Sequence, residues 1–491
     1  MVIDERNTAV AALIPVVDMS FLPAGVVNMS RTSSDDNSDD STDDPDDTST
    51  SSDDDNRPGD GALTTPHTKR VRRVYERKPM NNSTWWLLFL TPEARTELMS
   101  DPHGKVSSQF RRAFRVPYLL FKEKILEFSV CRWWPDWNQH KVDAFGRPVA
   151  YLELNLLGAL NVLGMGANHF SVSLQTNISE EVHRTFFLEW IGLMASVKKL
   201  FIYMPQDDLQ LKFVTDEYKS MGLPGCVGSV DCVHVGWDQC PVQYKNMYSG
   251  KEGYPSVAYE VICTSRKFIQ SVSAGHPGAR NDKHIVRTDK SVMELLDGNG
   301  WLNSHTWETQ DCNGRTKVNK GMYLICDGGY HRWPCMMFPI KSGAAGSPLL
   351  KWGRNVESIR KDIECVFGSL KKRFYYLKQF NRSRKQSTID NAFTTCCIIH
   401  NLLLENDGWL DEDLLPLPNG VKDRLGRVFA DDPRGDATTY RGIDTTVDEL
   451  MDAEEAARCP VEAKRLAMKW QRVLQKLVDH YEYHAIVKKN N

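Results

Sequence analysis

GCVGSVDCVHVGW, residues 225–237, is the stretch from which the fold of this chain can be read. Its β-branched content, with LPG before it and CP after it, marks a buried strand. Asp231 stands in the middle of that strand, where a carboxylate is costly unless it is paired or bound to a metal ion. The following residues extend the sheet: SVAYEVICTS (256–265), a short turn and FIQSVSAG (268–275) read as a β-hairpin. The loop HPGARND comes next, and then KHIVRTDKSVMELLDG (283–298), which reads as one helix closed by Gly298.

A second acid ends a second buried strand. GMYLICDGGYH (321–331) is an apolar run that stops at Asp327, where Gly328 and Gly329 release the chain into a turn. The third acid lies on a helix. In RNVESIRKDIECVFGSLKKRFYYL (354–377), Ile359, Ile363, Val366, Phe367, Leu370 and Phe374 recur at three- and four-residue steps, which places Glu364 on the flank of the apolar stripe. Glu357, one heptad upstream on a similar side, is its nearest rival, and Glu364 by itself reads as a surface acid paired with Arg360.

Acids on a first strand, a later strand and a following helix are what a ribonuclease-H-like nuclease requires. Phosphodiester cleavage can use two hard cations roughly 3.5–4 Å apart, one activating the attacking oxygen and one stabilising the leaving oxygen. Carboxylate ligands suit Mg²⁺ or Mn²⁺. The expected roles are therefore a bridge between both ions for Asp231 and one ion each for Asp327 and Glu364. Cys226, Cys232, His234 and Cys240 match no usual close zinc-ligand spacing. His400 reads as a satisfied helix residue.

Five stretches, GCVGSVDCVHV, AGHPGARND, YLICDGGY, RKDIECVFGSLKKRF and CCIIHNLLLE, occur in the order and spacing of a known family. Over roughly residues 150 to 405 the chain resembles the PIF/Harbinger transposases and their host-derived nuclease relatives, with 36 residues between Asp327 and Glu364 as between that family's second and third acids. The resemblance implies a DDE nuclease that cleaves and rejoins double-stranded DNA, targeted with the help of a separate Myb-like partner protein. GARND departs from the family, whose members often have Ser or His before the Asp, so the resemblance leaves two roles for Asp282: fixing the loop or approaching a metal.

Upstream, YLELNLLGALNVLG (151–164), NHFSVSLQT (168–176) and ISEEVHRTFFLEWIGLMASV (178–197) read as three helices. In the third, Val182, Phe186, Trp190 and Met194 recur at four-residue steps behind a Ser179 N-cap. The unit reads either as a helix-turn-helix that brings His183 and Arg184 to DNA or as a bundle supporting the next domain. Before it, FRRAFRVPYLLFKEKILEF (110–128) places Phe114, Leu119, Phe121 and Ile125 near one side, and Trp133, Trp134 and Trp137 read as a packing corner.

Charge is segregated. Residues 1–60 hold fifteen Asp/Glu and three Arg, a net of -12, so the remainder carries 58 Lys/Arg against 49 Asp/Glu, a net of +9. Residues 33–60 contain no large apolar side chain and are expected to be a disordered acidic tail. KRVRR (69–73) then reads as a nuclear import signal, which makes the nucleus the expected location. Twelve scattered cysteines suit a reducing compartment, and no run is apolar enough for a membrane span. Lys371, Lys372 and Arg373, with Arg382, Arg384 and Lys385, are candidate phosphate contacts.

The expected fold is thus α/β, a ribonuclease-H-like mixed sheet flanked by helices. The expected divisions are an acidic tail with its basic cluster (1–80), a helical helix-turn-helix-like region (81–205), the nuclease domain (206–407), and an irregular segment with a C-terminal helix (408–491). That last helix begins at Pro460 and lines up Ala467, Trp470, Val473 and Leu477, a stripe suited to docking on the core or to making a homo-oligomer. Two further readings stand beside the active transposase: a domesticated, non-catalytic nuclear DNA-binding or interaction protein on the same fold, and an RNA-directed ribonuclease-H-like enzyme, against which the helix-turn-helix argues.

Overall fold

β1 (Cys226–Gly236) forms the centre of a mixed sheet in the computed structural model, which describes residues 78–134, 149–379, 381–407 and 459–490. β2 (Ser256–Cys263) runs antiparallel to β1, with Asp231 opposite Val261 and Cys232 opposite Glu260. β3 (Ile269–Val272) continues the hairpin, and β4 (His276–Pro277) pairs with the start of β2. A separate hairpin, β5 (Thr306–Gln310) and β6 (Thr316–Lys320), precedes β7 (Tyr323–Ile325), which lies parallel to β1. β8 (Met336–Met337) is parallel to β7, giving the order β3-β2-β1-β7-β8.

Because strand side chains alternate, β1 and β2 feed two cores. The cross-strand pairs Val233–Tyr259 and Val235–Val257 enter the larger one. There they meet α1 (Pro92–Ser100), α2 (Lys105–Phe114), α3 (Leu152–Met165), α4 (His169–Thr176) and α5 (Glu180–Ser196). The pair Val230–Ile262 enters the other core, against α6 (Asp208–Ser220) and α8 (Lys290–Asp297), which follows the short α7 (Asp282–Val286). α9 (Pro348–Arg373) serves both cores, giving Trp352, Val356 and Ile359 to the second and Ile363, Val366 and Leu370 to the first. Ser347 caps α9 by accepting the Leu350 N–H, and Pro348 sits at its first position, where its missing N–H costs nothing. α10 (Gln386–Asn406) is buried along most of its length in the larger core.

α11 (Pro460–Asn490) docks on the second core. Trp470 is 1% exposed, donates from Nε1 to the Met336 carbonyl at 3.0 Å and stacks on Phe338 with ring centroids 4.9 Å apart. Leu466, Leu474, Leu477 and Val478 complete the buried stripe, while Val473 is only partly buried against it.

Several sequence expectations change. The expected helix over 283–298 is two, α7 and α8, because the buried Asp289 caps Ser291 and Val292 after a break; Gly298 does close the second, at φ 77°. Leu119 is 41% exposed whereas Phe114, Phe121 and Ile125 are buried. Arg115, at φ 63°, ends α2 and Pro117 follows, so the helical period does not carry across. Val182 likewise points outward, and His183 takes its place inside, with a nitrogen 2.7 Å from Thr176 Oγ1. His183 is therefore unavailable to DNA, and Arg184 is exposed but paired with Glu181 at 2.6 Å. Trp133 and Trp134 pack on the larger core as expected. The acidic tail, KRVRR, Trp137 and residues 408–458 lie outside the described residues.

His400 on α10 is buried between two groups that fix one neutral tautomer. Nε2 donates to the Lys267 carbonyl at 3.0 Å, and Nδ1 accepts from Arg373 Nη1 at 3.2 Å. The Lys267 carbonyl belongs to the turn between β2 and β3, where Lys267 itself is left-handed at φ 69°. Burial, with Arg373 adding to it, lowers the imidazole to about 3. A base depressed in the folded state contributes stability above its unfolded value, and that contribution is lost as pH falls from about 6.5 towards 3. The stability advantage of wild type over His400→Gln should therefore shrink by about 2 kcal/mol between pH 7 and pH 5. Denaturant melts of both proteins at the two pH values check this, and a constant difference would contradict it.

Candidate active site

Asp231 lies halfway along β1 with its side chain 19% exposed. Its Oδ1 accepts the N–H of Cys232 at 2.8 Å, and its Oδ2 faces Arg360 Nη1 at 3.4 Å. Burial raises this carboxyl to about 6; the Cys232 N–H works against that, and the charges of Asp327 and Asp282 add to it. Asp327 sits two residues beyond the end of β7, so the strand is shorter than its apolar run suggests. Its Oδ1 accepts the Gly329 N–H at 2.8 Å, which holds the carboxylate on the turn next to the central strand.

Glu364 projects from α9, which packs against β1 and β2. Its side chain is 49% exposed and its Oε1 lies 2.9 Å from Arg360 Nη2. Glu357 occupies the same guanidinium from the preceding turn, at 3.1 Å from Nη2 and 3.5 Å from Nε. One arginine, itself 9% exposed, thus gathers Asp231, Glu357 and Glu364. Asp327 and Asp282 enter as neighbouring charges on Asp231. Among the described residues no three His, Cys, Asp or Glu side chains converge as a ready ligand group. The donor set is nevertheless all carboxylate oxygen, and one guanidinium must balance several acids, so the chemistry fits a hard divalent cation.

Asp282 begins α7 but does not cap it, because the Asn281 side chain accepts the Lys283 N–H. Its charge acts on Asp231 and also on Glu260. Glu260 is a buried acid that sequence reasoning missed, although VAYEVIC surrounds it with apolar residues just as strongly as Asp231 is surrounded. It is fully buried on the opposite face of the sheet from Asp231, since it pairs with Cys232. Burial pushes its carboxyl far above the usual range, with Asp289 adding to it. Cys232 Sγ lies 3.5 Å from the Tyr330 hydroxyl and His234 Nδ1 lies 3.0 Å from Ser256 Oγ, so each of these two side chains has its own partner.

Along the rest of α9, Lys371 is half-buried near Glu252 and Lys372 is exposed. Arg373 is buried against His400 and leaves the set of expected phosphate contacts. Arg382, Arg384 and Lys385 are exposed just beyond.

Comparison with known proteins falls on this same region. A protein-family model described as "Plant transposon protein" matches residues 204–411. "Protein ALP1-like" of Arabidopsis thaliana is 23% identical over 212 residues, 43% of this chain and 50% of that protein. "Putative nuclease HARBI1" of Rattus norvegicus is 23% identical over 216 residues, and that of Homo sapiens 22% over 214, each match covering 43% of this chain and 55% of the relative. The chain spans about half the length of the curated relatives it matches. No solved structure matches it. The matched region, residues 204–411, holds all three acids, and its similarity to these proteins supports a PIF/Harbinger transposase-derived origin for that part of the chain.

Proposed function

We propose that this chain is a divalent-metal-dependent DNA endonuclease of the transposase type, in which Asp231, Asp327 and Glu364 hold two Mg²⁺ or Mn²⁺ ions. The observation that carries the reading is the sheet order β3-β2-β1-β7-β8, with β2 antiparallel to β1 and β7 parallel to it. A ribonuclease-H-like nuclease has this order, with its acids on the central strand, after the adjacent parallel strand and on a helix laid across the sheet. When bound, the two cations would activate the attacking oxygen and stabilise the leaving one. The chain's own contribution is placement. The Cys232 N–H fixes one Asp231 oxygen, the Gly329 N–H fixes one of Asp327, and α9 brings Glu364 to the same arginine as Asp231.

Double-stranded DNA is the proposed substrate, with Lys372, Arg382, Arg384 and Lys385 as exposed phosphate contacts near the acids' helix. Replacing these four by Ala should weaken duplex binding and reduce the slope of log affinity against log salt by about 0.9 for each phosphate no longer neutralised. Fluorescence anisotropy over a range of salt concentrations reads this, and an unchanged slope would place the DNA elsewhere. A nuclear location, a Myb-like targeting partner and self-association belong to the same proposal and come from the family resemblance and the KRVRR stretch.

Arg360 among the acids favours a second reading, a domesticated protein that binds DNA without cutting it. Incubating the full chain with duplex DNA in Mn²⁺ and in chelator separates the two. Mn²⁺-dependent strand breaks support the nuclease; duplex bound but uncut in Mn²⁺ supports the non-catalytic protein.

A further inference from the structure

Arg360 differs from an ordinary helix-surface arginine in what surrounds it. It sits one turn after Glu357 and one turn before Glu364 on α9, and across the gap it reaches Asp231 on β1. Its guanidinium therefore lies between two of the proposed metal ligands, at 3.4 Å from Asp231 and 2.9 Å from Glu364. With a side chain only 9% exposed, it is too enclosed to leave freely for solvent. Its planar fork presents donors in fixed directions to several carboxylates at once, whereas a lysine offers one compact charge without that geometry.

We propose that Arg360 is an internal cation that holds the acid cluster together without metal and moves off Asp231 and Glu364 onto Glu357 when a divalent ion binds. The inference rests on the metal-site reading above. Two carboxylates cannot serve a divalent ion fully while they also neutralise a guanidinium, and the two positive groups repel each other in a partly desolvated site. Glu357 provides the destination. It already takes both Nε and Nη2, so a modest swing of the guanidinium about that pair frees Nη1 from Asp231, and Glu364, half-exposed and sharing Nη2, turns away by rotation of its own side chain. In this scheme Glu357 is a positioning residue and Glu364 the third ligand, although Glu357 is the less exposed of the two, at 28% against 49%.

The two residues should act with opposite signs on metal affinity. Arg360→Gln removes the competing cation and should tighten Mn²⁺ binding by about 10-fold, whereas Glu357→Gln removes the destination and should weaken it by a similar factor. The probe is Mn²⁺ alone, titrated without DNA into the full chain and followed by calorimetry, with Asp231→Asn as the reference for site-specific binding. Thermal melts in chelator establish that each variant is folded, and Arg360→Lys, which keeps the charge but loses the fork, covers an Arg360→Gln that fails to fold and should bind Mn²⁺ with intermediate affinity. Loss of affinity in both Arg360→Gln and Glu357→Gln, or no change in the former, would overturn the exchange, and the metal site itself would stand if Asp231→Asn still abolished binding. If wild type binds no Mn²⁺ but Arg360→Gln does, the exchange is supported in its strongest form. If neither binds Mn²⁺ in a manner that depends on Asp231, both the exchange and the metal reading fall.

Discussion

Asp231→Asn should abolish divalent-dependent cleavage of duplex DNA while leaving DNA binding within about twofold, and it should make the metal-free protein more stable at neutral pH. The first effect follows from charge. Asn keeps the shape of the side chain and can still accept the Cys232 N–H, but it cannot balance a divalent ion. The second follows from the environment of the carboxyl, which burial, Asp327 and Asp282 hold at about 6. An acid whose folded value is raised costs stability as pH climbs from its unfolded value of roughly 4 through its folded one. Above pH 6 wild type bears that cost and the Asn variant does not, a difference of about 1–2 kcal/mol after allowing for the weaker attraction to Arg360. Cleavage, anisotropy and melting in chelator at pH 7.5 are the readouts. A variant that melts well below wild type would mean that Asp231 serves the fold, and undiminished cleavage would remove it from the site.

Trp470→Ala should give the largest loss of stability, about 3–5 kcal/mol, because it empties the space between α11 and the sheet. The indole is 1% exposed, stacks on Phe338 and supplies the hydrogen bond to the Met336 carbonyl on β8. Trp470→Phe keeps the ring but leaves that carbonyl unpaired and should lose roughly 1–3 kcal/mol. Chemical denaturation measures both. Equal small losses would mean that α11 is bound loosely and contributes little to the second core.

The central strands were legible because an acid inside GCVGSVDCVHVGW has no cheap structural explanation, and because Gly328 and Gly329 mark where the second acid leaves its strand. The β5–β6 hairpin was not legible. In TWETQDCNGRTKVNK the apolar content is slight, and only Trp307, Thr309 and Asn319 are buried along its two strands, so no alternating stripe announces it. α11 was visible as an amphipathic helix but not as part of the second core, since a helix's stripe does not say which surface covers it. Arg360 was visible only as the partner of Glu364 four residues on; its contact to Asp231 spans 129 residues of sequence and depends on how α9 lies on β1. His183 lies inside and Val182 outside because an apolar period fixes a helix face only to within one residue, and the buried imidazole is held through one nitrogen by Thr176.

Whether Asp231, Asp327 and Glu364 hold the catalytic cations is decided by anomalous diffraction at the manganese edge from crystals of the full chain grown with Mn²⁺. Anomalous peaks are expected within ligand distance of the Asp231 carboxylate and shared with Asp327 and Glu364, with Arg360 displaced towards Glu357. Crystals whose manganese peaks lie elsewhere, or whose acids remain closed on Arg360 at saturating Mn²⁺, would contradict it.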